Sequence, residues 1–141
     1  MASLSPTYGV LAEVLAERGR QDAKWGQQNH PDADPDILRR LTDGPGEWWG
    51  EPTEVARRLS DFYEIPVASR ARYNCQHEAG HRGPTWVGIA IEEMAEVLEA
   101  TTSDPATLRA EWVQLAAVAV AAVEAIDRRM ENDAAEEDSR G

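Results

Sequence analysis

Apolar positions recur every three or four residues along most of this chain, and no stretch alternates them in twos. That spacing predicts helices and no sheet. Val10, Leu11, Val14 and Leu15, preceded by Ser5-Pro6 as N-cap and first helical residue, predict a helix over about 6–24. A short helix is expected at 35–41. Thr53 is placed to cap another that runs to about Tyr63, with Pro66 marking its end. Residues 26–52 are rich in Gly, Pro, Asp and Asn and read mostly as loop, as does 75–84.

The pattern sharpens from Thr85. Val87, Ile91, Met94 and Leu98 form a 4-3-4 stripe, and Asp104-Pro105 starts a new helix. Leu108, Trp112, Leu115, Ala119, Val123 and Ile126 carry that helix to about Met130. A connection of a few residues predicts that the two pack as an antiparallel hairpin. The second helix is apolar on nearly every side from Trp112 to Ile126, and such a helix must be covered all round. Three other short helices can hardly do that, which predicts a partner subunit in a homodimer or homotetramer. Gln114 and Glu124 interrupt the apolar run, which falls short of the ~20 residues of a membrane span, so no membrane partner is expected. Residues 131–141 hold five acids and no large apolar side chain, and are expected to be disordered. The expected organisation is one all-α domain over 1–130, a four- or five-helix bundle around the hairpin. It has a loop insertion at 35–52 and an acidic tail at 131–141.

A chain of 141 residues suits one domain and buries roughly two-thirds of its unfolded surface. Twenty-six acids against fourteen bases give a net charge of -12. That surface repels phosphate backbones and anionic lipid, so stable nucleic-acid binding is not expected. It can still meet a polyanion through a bridging cation. The single cysteine, Cys75, excludes an internal disulfide framework. Residues 1–6 show no basic stretch followed by an apolar core, so no signal peptide is expected and a reducing, cytoplasmic location is the natural reading.

The candidate chemistry lies in carboxylates. Glu93 and Glu96 are one helical turn apart and share a face, with Glu92 adjacent. Glu111 opens the next helix with Gln114 three residues on, and an antiparallel hairpin lets Glu96 and Glu111 face each other. Clustered carboxylates repel unless a cation sits between them, and a hard divalent ion with oxygen ligands, chiefly Mg²⁺, is the natural occupant. The plainer reading is a solvated acidic face, since glutamate is a good helix former. Against it, Glu111 stands at the edge of an almost uniformly apolar helix, where a charge needs a partner.

Glu92-Glu93-Met94-Ala95-Glu96 followed by Glu111-Trp112-Val113-Gln114 resembles the metal motif of the all-α NTP pyrophosphohydrolases, the MazG-like superfamily: Glu-x-x-Glu, a variable gap, then Glu-x-x-Asp. Gln114 stands where that family usually has Asp. The segment from Glu17 to Pro31 is similar to the opening of small stand-alone members, and so is Arg72-Tyr73-Asn74-Cys75 followed by Gly83-Pro84-Thr85-Trp86. The resemblance covers most of residues 10–128. It implies that Mg²⁺, for which Mn²⁺ can substitute, is held by Glu93, Glu96, Glu111 and Gln114, with Glu92 as a further ligand. It also implies attack by water on a nucleoside triphosphate, giving the monophosphate and pyrophosphate. Lys24 would be the catalytic cation. Gln21, Trp25, Gln28, Asn29, His30 and Arg72 would contact the substrate. A weakened relative that binds a nucleotide or a protein and regulates is the alternative, and Gln114 favours it.

Read without that resemblance, several of these residues stay open. Lys24 is the only lysine and suits either a phosphate oxygen or a helix C-terminus. Trp25 can stack on a base or plug a core. Gln28, Asn29 and His30 are a polar cluster or simply a polar loop. Arg70 and Arg72 reach a phosphate or pair with surface acids. Cys75, His77 and His81 suggest zinc, but a structural site wants four ligands. Trp48-Trp49 are a lid, a subunit contact or packing beneath their loop.

Overall fold

The computed structural model describes residues 5–42, 52–77 and 84–141, so Trp48, Trp49 and His81 lie outside the described residues. Among the described residues there is no strand. The helices are α1 (Pro6–Trp25), α2 (Pro35–Thr42), α3 (Pro52–Tyr63), α4 (Ala68–Gln76), α5 (Trp86–Ala100) and α6 (Pro105–Arg140). The chain forms two compact units, His30–Ala116, and Met1–Asn29 with Ala117–Gly141.

Capping chemistry sets several helix starts in the unit spanning His30–Ala116. Asp34 caps α2 by accepting the amides of Asp36 and Ile37, both at 3.0 Å, with Pro35 as first helical residue. Thr85 caps α5 through the Gly88 amide at 3.0 Å. Pro52 is the first residue of α3, one position before the expected cap Thr53. At the other end of α3 the chain reverses through Glu64, which takes the left-handed φ of 57°. The Ile65 amide donates to the Ser60 carbonyl at 3.0 Å and the Glu64 amide to Asp61 at 3.3 Å, a Schellman motif with glutamate in the usual glycine place.

The core of this unit is Val55 and Leu59 of α3, both wholly buried, with Leu98 of α5 and Ala33. Ile37, Leu38, Ile65 and Met94 pack around it. Helix α3 and helix α4 both pack on α5, and α2 packs on α3. Apolar spacing does not predict α4. Its buried residues are only Ala71 and Cys75, one turn apart and too small to mark a stripe. That helix makes six in all among the described residues, against the four or five expected, and it places Cys75 in a buried helical position. A second cluster, Val97, Ala100 and Leu108, joins the end of α5 to the first turns of α6. The α5 stripe is covered only in part: Leu98 is buried, while Val87 and Ile91 are exposed.

In the other unit Ser5 caps α1 through the Thr7 amide at 3.3 Å, and the Thr7 hydroxyl donates to Glu124 of α6. Val10 is the buried residue of α1. Tyr8, Leu11, Val14 and Leu15 are exposed, and so are Val123, Ile126 and Met130. Helix α6 does not stop near Met130 but continues through 131–140, the stretch expected to be disordered. Ala134, Ala135, Glu136 and Glu137 are strong helix formers, and no glycine or proline intervenes before Gly141. Between Trp112 and Ile126 no residue of α6 is buried. By length and composition alone, α6 is also apolar enough to cross a membrane, despite Gln114 and Glu124.

Candidate metal centre

Asp104 fixes where α6 begins. One of its oxygens accepts the Thr107 amide at 2.9 Å and the other the Thr107 hydroxyl at 2.7 Å. These bonds hold the Asp104 carboxyl below its usual range. Leu108 then docks on Val97 and Ala100, and Glu111, one turn further, is brought back against Glu93 and Glu96 of α5. One carboxylate oxygen from each of these three glutamates lies within 4.8 Å of the others.

The environment of these acids is unusual. Glu93 and Glu111 each have an Oε2 that is buried and has no hydrogen-bond partner. Burial, followed by the negative charge of Glu96, pushes both carboxyls above the usual carboxylate range. Glu111 adds to the effect on Glu93, and the neighbouring Glu99 acts in the same sense on Glu111. Arg72 of α4 is the counter-ion on one side, with Nε 3.3 Å from Glu92 and Nη2 3.4 Å from Glu96. Its own pKa is raised by those bonds. A shallow cleft of about 320 Å³ lies alongside, lined by Glu96, Glu99, Ala100, Ser103, Thr107 and Glu111.

This donor set suits a hard cation. Three carboxylates supply charge and oxygen, and two of their oxygens lack any other partner. Oxygens opposed across Mg²⁺ are about 4.2 Å apart, and across Ca²⁺ about 4.8 Å. The span of 4.8 Å therefore suits a divalent ion with, for Mg²⁺, a small inward movement of the side chains. Water would complete the shell, as Mg²⁺ prefers.

The structure thus brings together Glu93, Glu96 and Glu111, and sets Arg72 against Glu92 and Glu96. Gln114 follows on α6 and is exposed. Lys24, Trp25, Gln21, Gln28 and Asn29 belong to the other unit. There the Lys24 ammonium lies 4.8 Å from the Trp25 ring centre, and Gln21 accepts from Arg18 at 2.6 Å. His30 is the first residue of the carboxylate-bearing unit. Cys75 and His77 are no part of a metal-type cluster among the described residues. His77 instead stacks on Tyr73 at 4.2 Å, with Nδ1 2.8 Å from the Tyr73 carbonyl. Glu99 is the residue that sequence reasoning misses, although its place one turn after Glu96 could have marked it.

Comparison of the chain with protein-family models, with curated proteins and with solved structures finds no match.

Proposed function

We propose that this chain is a Mg²⁺-dependent nucleoside triphosphate pyrophosphohydrolase, converting a (d)NTP and water to the (d)NMP and pyrophosphate. The observation that carries the reading is the pair of buried, unpartnered oxygens on Glu93 and Glu111 beside Glu96. Three such groups together are stable only with a proton or a cation among them. Glu93, Glu96 and Glu111 would hold the ion, with Gln114 or Glu92 contributing from the margin. A bound Mg²⁺ or Mn²⁺ supplies charge neutralisation for the phosphates and a lower pKa for its water. Arg72, already beside Glu96, is placed to meet a phosphate oxygen. Lys24, Gln21, Trp25, Gln28, Asn29 and His30 keep their roles toward the substrate on the strength of the MazG-like resemblance. Self-association belongs to the same reading, because among the described residues none of α6 between Trp112 and Ile126 is buried.

Pyrophosphate release from each of the eight common (d)NTPs, with Mg²⁺ or Mn²⁺, tests the proposal. Turnover with at least one substrate, abolished in a folded Glu96→Gln variant, is the expected result. Gln114, exposed and uncharged where the family has Asp, favours the second reading of a regulatory nucleotide or protein binder. Saturable nucleotide binding with no pyrophosphate release from any substrate would select it.

A further inference from the structure

Glu99 stands on the last turn of α5, one turn beyond Glu96, as Glu93 stands one turn before it. Side chains so spaced on a helix start about 5–6 Å apart, so Glu96 has a glutamate within side-chain reach on both sides. Glu99 and Glu111 line the same cleft of about 320 Å³, together with Glu96.

The chemistry of that cleft is one-sided. Ser103 donates its hydroxyl proton to the Ala100 carbonyl at 2.6 Å, and Thr107 donates its own to Asp104 at 2.7 Å. With both protons committed, the two hydroxyl oxygens can only accept. The other polar lining is Glu96, Glu99 and Glu111, so no lining side chain has a donor to offer. A cleft of acceptors alone suits a hard cation and the water it carries. Glu111 adds an independent mark, a buried Oε2 that lacks any hydrogen-bond partner.

The neighbouring groups are otherwise engaged or neutral. Glu92 faces Arg72 at 3.3 Å, and Gln114 is exposed and uncharged. Glu99 also borders a cavity of about 330 Å³ between α3, α4 and α5, where Arg57 and Arg72 lie. Those guanidiniums are taken, Arg57 by Glu54 and Asp61, and Arg72 by Glu92 and Glu96. The negative charge of Glu99 acts instead on Glu111.

We propose that Glu99 is a fourth carboxylate ligand of the divalent ion held by Glu93, Glu96 and Glu111, reaching it from the cleft. The proposal rests on the metal reading above and adds a residue to it.

Mn²⁺ binding to the full chain, followed by the electron-spin signal of free Mn²⁺, tests it in the parent, in Glu96→Gln and in Glu99→Gln. Glu99 is exposed, so its glutamine variant keeps the fold, which circular dichroism checks. Half-saturating Mn²⁺ should rise at least about tenfold in Glu99→Gln. That rise should persist when salt goes from about 0.1 M to about 1 M and the Debye length falls from about 10 Å to about 3 Å. A ligand's contact with its ion survives such screening, whereas the field of an exposed charge that only stands nearby does not. Parent-like affinity in Glu99→Gln, with binding lost in Glu96→Gln, overturns the inference and leaves the metal reading standing. A weakening in Glu99→Gln that disappears at high salt overturns it too. No saturable Mn²⁺ binding by the parent, or unchanged binding in Glu96→Gln, sinks the metal reading itself and the inference with it.

Discussion

Glu93 on α5 and Glu111 on α6 meet within the span of a single ion, each with one oxygen shut away from solvent and from any hydrogen-bond donor. Two acids do not stay in that relation for their mutual benefit. Buried, unpaired charge is destabilising, and function is the usual reason a fold retains it.

The first prediction concerns that repulsion. Both carboxyls are held above the usual range, so the folded protein keeps their protons longer than the unfolded chain does. Metal-free stability should therefore fall as pH rises from about 4.3 through the raised values, and level off above them. Glu111→Gln removes one charge and should raise metal-free stability at pH 7 by about 1 kcal/mol, roughly 3 °C in Tm. Mg²⁺ is expected to raise the Tm of the parent and to leave that of the variant unchanged. Calorimetry with and without Mg²⁺ checks both, and a variant less stable than the metal-free parent contradicts the repulsion.

Gln114→Asp restores the charge usual in the family that the motif resembles. If Gln114 is a weakened ligand, the half-saturating Mg²⁺ for turnover should drop about tenfold, or ~1.4 kcal/mol. An unchanged or higher value with lower turnover would make Gln114 a positioning residue that donates its amide to Glu96 or a phosphate, since Asp then adds repulsion.

Glu64 occupies the left-handed turn that closes α3. A side chain there costs about 1 kcal/mol that glycine avoids. Glu64→Gly should stabilise the protein by roughly 0.5–1 kcal/mol, less the added freedom of the unfolded chain. Denaturant unfolding with an unchanged slope would show it, and a net loss would mean that Glu64 has a compensating contact.

Asp104 caps α6 with both carboxylate oxygens. Asp104→Ala should destabilise the protein by removing that cap. Its lowered pKa gives the opposite sign to the buried glutamates. The stabilisation is present above about 3.9, the ordinary Asp value, and is lost as pH falls through the folded value. The variant should therefore lose most of its deficit relative to the parent at low pH, as acid unfolding curves would reveal.

The exposed apolar side chains of α6, Trp112, Val113, Val123 and Ile126, predict a stable dimer or tetramer at micromolar concentration in sedimentation velocity. Ile126→Glu, at an exposed apolar position, should shift the population toward monomer. A monomer that partitions into lipid vesicles would instead assign the apolar run of α6 to a membrane.

Much of this protein is written locally. Ser5-Pro6 and Asp104-Pro105 announce α1 and α6, because a cap satisfies amides only two or three residues away. Glu93 and Glu96 share a face for the same local reason, the period of the helix. The persistence of α6 through Arg140 has a local signal too, in its alanines and glutamates, although the acidity of that stretch by itself reads as disorder. Other features have no local signal. Helix α4 is held by Ala71 and Cys75, whose small side chains matter only once α5 lies against them. Through that packing Arg72 reaches Glu92, 20 residues along the chain, and Ser60 comes to line a cavity with Ser69. Only the docking of Leu108 on Val97 and Ala100 decides that Glu111 meets Glu93 and Glu96. The sequence by itself determines where helices start and which acids share a turn, since hydrogen bonds and helical period act over a few residues. Which acids are buried together is decided by packing between helices, where the partner lies far away in the chain.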